Sequence, residues 1–187
     1  LVNRFNSAVL VSIEVETHKD AYMLFESLNN RGVPLSAIDL IKNLLISVSD
    51  ADGNSEECYS KWKKILAYLS DDYSVQERFF RQFYNAYRDE LNVPYKTEGK
   101  VKYALGPLAT KTTLLDIYEK LIKTDYRKFL NRIEKEAKNY SILINNANED
   151  DSIEKLEKPL FNLDKIQGAP SYILLLYLMS NKNELNI

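Results

Sequence analysis

Histidine, cysteine, glycine and proline are all scarce in this chain of 187 residues. His18 is the one histidine, so there is no His-Asn-His nuclease centre, and a metal site at His18 would lack further ligands nearby. Cys58 is the one cysteine. That excludes an intrachain disulfide and fits a reducing, cytoplasmic setting. Five glycines and five prolines are too few for an all-β protein with its many turns. The longest apolar run, Tyr172 to Met179, is too short to span a bilayer, so no membrane partner is expected. No charged segment leads into an apolar one at the N-terminus, so no signal peptide is expected. Neither Gly-x-x-x-x-Gly-Lys-Ser/Thr nor Gly-x-Ser-x-Gly occurs, which removes the usual phosphate loop and nucleophile elbow. The net charge is −2, so the chain as a whole is not a basic clamp for nucleic acid.

What is present is mainly helical patterning. The hydrophobic content of 45% is ordinary for a globular protein and supports a core. Residues 8–16 read as one N-terminal β-strand, with Val11, Ile13 and Val15 alternating with Ser12, Glu14 and Glu16. Thr17 and Asp20 cap a helix with Ala21, Leu24, Phe25 and Leu28 on one face. Gly32 stops it and Pro34 forbids immediate resumption. Ser36 with Asp39 restarts a helix whose apolar face is Ile38, Ile41, Leu44, Leu45 and Val48. Asn54 and Glu57 cap a third helix, with Cys58, Trp62, Ile65, Leu66 and Leu69 inward. Ser74 and Glu77 cap a fourth, with Phe79, Phe80, Phe83, Tyr87 and Leu91 inward. Residues 93–107 read as a long loop. Leu114 to Ile122 and Tyr126 to Ile144 mark a fifth and a sixth helix, and short helices over 153–166 and 170–180 close the chain around Gly168. The expected fold is mainly α, an irregular bundle of seven to eight helices with one N-terminal strand.

The segment Phe25-Glu-Ser-Leu-Asn-Asn-Arg-Gly-Val-Pro-Leu-Ser-Ala-Ile-Asp-Leu-Ile-Lys-Asn43 places its polar groups at the hinge between two helices. It resembles the signature Phe-x-x-Leu-Asn-x-Arg-Gly-x-x-Leu-x-x-x-Asp-Leu-Ile-Lys-Asn of the GmrS-type (GmrSD-like) modification-dependent restriction proteins. These carry a ParB/sulfiredoxin-like N-terminal domain. The match is Phe25, Leu28, Asn29, Arg31, Gly32, Leu35, Asp39, Leu40, Ile41, Lys42 and Asn43, about a tenth of the chain. The resemblance implies a role in antiviral defence, coupling nucleotide hydrolysis to cleavage of modified phage DNA. It implies a nucleoside triphosphate with a divalent metal as cofactor of the intact parent, and DNA and a nuclease domain or subunit as partners. The family's Asp-Gly-Gln-Gln-Arg motif is missing here. The chain starts at Leu1 rather than Met and stops in a polar run. The expectation is therefore a piece of a longer protein, non-catalytic alone. Residues 1–49 would complete an upstream nucleotide-binding domain, and residues 50–187 would be its helical extension.

Asn29, Arg31 and Gly32 are the candidate nucleotide- or DNA-binding residues. Arginine offers a planar fork of donors, and the Ser36 helix begins with free amides. Read without the family, Asn29 and Gly32 are a helix stop and Arg31 pairs with a carboxylate. Lys42 either reaches a ligand or is a solvated lysine three residues from Asp39. Lys128, Arg132 and Lys135 form either a stripe for DNA phosphates or a solvated helix face. Arg78, Arg81 and Arg88 stand among aromatics whose spacing favours packing. Residues 50–57 look calcium-like, but the glycine is misplaced for an EF-hand and no metal site is expected. The competing function is a non-enzymatic helical module that binds DNA or positions another domain. An exposed edge over Val9 to Val15 predicts strand-to-strand homodimers.

Overall fold

The computed structural model describes Ser12, Glu14 and residues 36–92, 95–97, 100–144, 162–163 and 168–182. The chain divides into two compact units, Leu1–Leu35 and Ser36–Ile187. The second holds every described helix. In order these are α1 (Ala37–Asp50), α2 (Ser55–Leu69), α3 (Tyr73–Leu91), α4 (Leu114–Leu143) and α5 (Tyr172–Ser180). A short hairpin, β1 (Tyr95–Thr97) with β2 (Lys100–Lys102), lies between α3 and α4, and a 3-10 turn over Ala169–Ser171 leads into α5.

Local chemistry sets the helix ends. Ser36 is extended, and its hydroxyl accepts the Asp39 N–H at 3.1 Å, the capping bond that starts α1. Gly53 has φ +70°, a left-handed turn between α1 and α2 where a side chain would be strained. Asp72, not Ser74, caps α3, accepting the Ser74 N–H at 2.8 Å. Gly168 is needed for a close approach. A Cβ there would lie 2.5 Å from Leu163 Cδ1 and 2.8 Å from the Leu163 carbonyl oxygen.

Helix α4 is the hub, packing against α1, α2, α3 and α5. Its apolar face buries Ile117, Tyr118, Ile122, Phe129, Ile133 and Tyr140. Aromatic rings carry the core from one helix to the next. Trp62 of α2 lies 5.5 Å from Phe80 of α3, and Phe80 meets Tyr118 of α4 edge-on at 5.3 Å. Phe79 meets Tyr140 at 5.1 Å, and Tyr140 meets Tyr172 of α5 at 5.9 Å. The buried phenols are satisfied. Tyr118 donates to the Phe80 carbonyl at 2.7 Å, and burial pushes its hydroxyl well above the ordinary range. Tyr140 donates to Gln82 Oε1 at 2.7 Å, and Gln82 Nε2 donates to the Ala169 carbonyl at 2.6 Å.

The expected count of seven to eight helices with an N-terminal strand is overturned. The described residues form five α-helices. The expected fifth and sixth helices run on as one 30-residue element, α4, and the expected division between them survives as a break at Asp125 (φ −163°, ψ 89°). A side chain closes off the helix on each side of the break. Thr124 Oγ1 donates to the Lys120 carbonyl at 2.8 Å, and Asp125 Oδ1 accepts the Lys128 N–H at 2.9 Å. Asp125 therefore caps the second half while the chain continues onward. The described strands are the hairpin at 95–102, inside the stretch read as loop, with Thr97 paired to Lys100. Of the expected N-terminal strand only Ser12 and Glu14 are described, and neither lies in a strand. The rest of that strand, the 17–31 helix and most of the 153–166 helix lie outside the described residues. Helix α1 belongs to the second unit, where it packs on α2 and α4.

Candidate functional site

Of the hinge motif, residues 36–43 are described; Asn29, Arg31 and Gly32 lie outside the described residues. In the described half, Ile38 and Ile41 are buried and hold the first turn of α1 to the core, and Leu40 is buried as well. Asp39 gathers the polar groups. Its carboxylate accepts from the Ser36 hydroxyl at 3.0 Å, from Lys42 Nζ at 3.2 Å and from the Tyr73 hydroxyl of α3 at 3.0 Å. Lys42 is thus paired within its own helix. Partial burial pushes the Asp39 carboxyl up, but the hydrogen bonds from Ser36, Lys42 and Tyr73 outweigh burial and hold it below its ordinary value of 3.8.

This shift fixes a pH dependence. A carboxyl with a lowered folded-state pKa binds its proton less readily in the native protein. Its contribution is complete above pH 3.8 and is lost as the pH falls through the lower folded value. Asp39→Asn is therefore expected to flatten the acid limb of the stability curve below about pH 4. Urea midpoints of wild type and variant across that range measure it, and parallel acid limbs would refute it.

The second candidate group lies on α4. Arg132 is engaged, with Nη2 3.0 Å from Glu90 Oε2 and its guanidinium 4.4 Å from the centre of the Tyr87 ring. Its Nε lies 3.4 Å from Glu136 Oε1 without hydrogen-bond alignment. Lys128 and Lys135 are exposed. The three do not form one free stripe, because Arg132 turns inward. Lys128 and Arg132 instead line a cleft of about 540 Å³. It sits where α3 ends, where residues 104–105 pass, and where α4 breaks. Phe83, Leu91, Leu105, Leu121 and Phe129 supply its apolar wall. Two asparagines hold the passing segment. Asn92 Oδ1 accepts the Leu105 N–H at 3.2 Å, and Asn85 Oδ1 accepts the Ala109 N–H at 2.8 Å.

The other cationic candidates are structural. Arg78 donates to the Tyr140 hydroxyl at 3.2 Å. Arg81 lies 3.4 Å from Glu77. Arg88 lies 3.2 Å from Asp89 and donates to the Pro107 carbonyl at 3.0 Å. Asp52 of the calcium-like stretch pairs with Arg127 at 3.0 Å and accepts from the Tyr126 hydroxyl at 3.0 Å, so it fastens the α1–α2 turn to α4. Cys58 is buried, its thiol 3.9 Å from the Leu45 carbonyl, and burial pushes its pKa up.

Sequence reasoning missed one polar centre. Glu136 is 0% exposed. Its carboxylate accepts from Ser180 Oγ at 2.7 Å, from the Tyr87 hydroxyl at 2.8 Å and from Asn139 Nδ2 at 3.1 Å. Tyr87 sits at a kink in α3 (φ −113°, ψ 17°), and its hydroxyl also lies 3.0 Å from the Leu176 carbonyl. The signal was present, since Glu136 falls three residues after Ile133 and four before Tyr140, on the apolar stripe of α4.

Among the described residues no group of three His, Cys, Asp or Glu side chains is placed to hold a metal ion. Nor is any described helix long and apolar enough to cross a membrane. No family model, curated protein or solved structure matches the chain.

Proposed function

We propose that this chain is part of a GmrSD-like restriction protein, in which nucleotide hydrolysis drives cleavage of modified phage DNA. The piece itself serves as a non-catalytic helical module. The observation that carries the reading is the Phe25–Asn43 motif. Its described half supports a division of labour. Asp39 and Lys42 are occupied with each other, with Ser36 and with Tyr73, so they fit a scaffold role at the start of α1. That leaves Asn29 and Arg31 as the motif's candidates for a phosphate. Nucleotide and divalent ion would be held by the intact protein, with residues beyond this chain.

The test compares nucleotide hydrolysis by the intact protein, wild type beside Asn29→Ala and Arg31→Ala, with and without modified DNA. Loss of charge-assisted hydrogen bonds to a phosphate is expected to lower turnover by about ten- to a hundredfold. Equal turnover in all three proteins would make the hinge a structural corner. The alternative, a DNA-binding or domain-positioning module, draws on the exposed Lys128 and Lys135. Equal turnover together with a salt-dependent duplex affinity, lost on neutralising both lysines, would favour it.

A further inference from the structure

We infer that the cleft at the break in α4 binds a small amphipathic anion, an apolar ring or chain carrying one carboxylate, sulfonate or phosphate.

The volume of about 540 Å³ is that of a small-molecule site rather than of a packing defect. Five side chains, Phe83, Leu91, Leu105, Leu121 and Phe129, give it an apolar wall. Two helix irregularities lie beside it. The Asp125 break opens α4, and α3 runs out at Leu91 after its kink at Tyr87. Residues from both sides of the α4 break line the cleft, and α3 ends at its edge.

The charge of the occupant follows from which ions are already matched. The cleft carries Glu90, Asp125, Lys128 and Arg132. Arg132 lies between Glu90 at 3.0 Å and Glu136 at 3.4 Å, so its charge is already matched. Asp125 Oδ1 takes the Lys128 backbone N–H, so its charge offsets the start of the second half of α4. The Lys128 ammonium is left with no partner among the described residues. Two other clefts of this unit differ in that respect. One holds Arg88, paired with Asp89. The other holds Lys61 and Arg127, paired with Glu57 and Asp52. An apolar wall with one unmatched cation at its rim fits an apolar body with one negative end.

Anilinonaphthalene sulfonate is the probe, titrated by fluorescence into the full chain. Its uncharged relative phenylnaphthylamine serves as the control. Ala104 is exposed at the mouth, so Ala104→Trp fills the cleft without disturbing the core. Leu174 is 60% exposed on α5 and marks the competing apolar surface. The expected result is one saturable phase, abolished by Ala104→Trp and unchanged by Leu174→Glu. Lys128→Gln should weaken it about fivefold, the range of a partly screened ion pair. Loss of the signal with Leu174→Glu but not with Ala104→Trp would put the probe on α5 and overturn the site. Equal binding of the uncharged relative, or no effect of Lys128→Gln, would overturn the anion. Absence of binding would overturn both.

Discussion

Glu136→Ala is expected to lower the unfolding free energy of the helical unit by about 2–4 kcal/mol, the cost of leaving buried hydrogen-bond donors without their acceptor. The carboxylate is fully buried and accepts from Ser180, Tyr87 and Asn139. Its removal takes the acceptor from Ser180 and Asn139, leaves the Tyr87 hydroxyl only the Leu176 carbonyl, and leaves Arg132 with Glu90 alone. It also loosens the junction of α3, α4 and α5, because each contributes a donor or the acceptor. Glu136→Gln keeps the shape and one acceptor oxygen but puts an amide N–H against donors. It should cost less, about 1–3 kcal/mol. Urea unfolding followed by circular dichroism reads both, with a lower midpoint at unchanged slope. A loss below about 1 kcal/mol for the alanine variant would show that water enters and replaces the carboxylate.

Phe80→Ala should be of similar size, about 3–5 kcal/mol, but for a different reason. The ring touches Trp62 of α2 and Tyr118 of α4, while the Phe80 carbonyl receives the Tyr118 hydroxyl. Truncation opens a cavity where three helices meet, and stiff aromatic rings on either side are poorly placed to collapse into it. Phe80→Leu fills much of the space and should recover at least half of the loss. Equal destabilisation by both substitutions would mean that the edge-on geometry, and not volume, holds this part of the core.

The sequence made the inward faces of α1, α2 and α3 readable because their apolar residues recur at helical spacing. Ile38, Ile41, Leu44 and Leu45, then Cys58, Trp62, Ile65 and Leu69, then Phe79, Phe80, Phe83 and Tyr87 are all buried. Caps were readable where the side chain is short and local, as at Ser36, and missed by two residues at Asp72, where Ser74 offered a competing oxygen. The hairpin went unread because Tyr95 to Lys102 has too few apolar residues to show alternation, and its two strands are held by backbone pairing. The polar centre at Glu136 was hidden by a bias of pattern reading. A charge on an apolar stripe reads as noise until its partners on α3 and α5 are known, and those lie 49 and 44 residues away in sequence. The cleft beside Lys128 was likewise out of reach, since it arises from two broken helices and a passing loop rather than from any local motif.

The Asp125 break also changes how α4 behaves as a mechanical part. A helix resists bending through its unbroken ladder of backbone bonds, and that ladder is interrupted where the backbone leaves helical geometry. The hub of the bundle is thus a jointed strut rather than a rod. Residues 114–124 fall short of the roughly 12–15 residues an isolated helix needs in water, so this arm's rigidity is borrowed from its neighbours. Ile117, Tyr118 and Ile122 anchor one arm, and Phe129, Ile133 and Tyr140 anchor the other. Each arm is therefore held in place by its own core contacts rather than by the axis the two arms share.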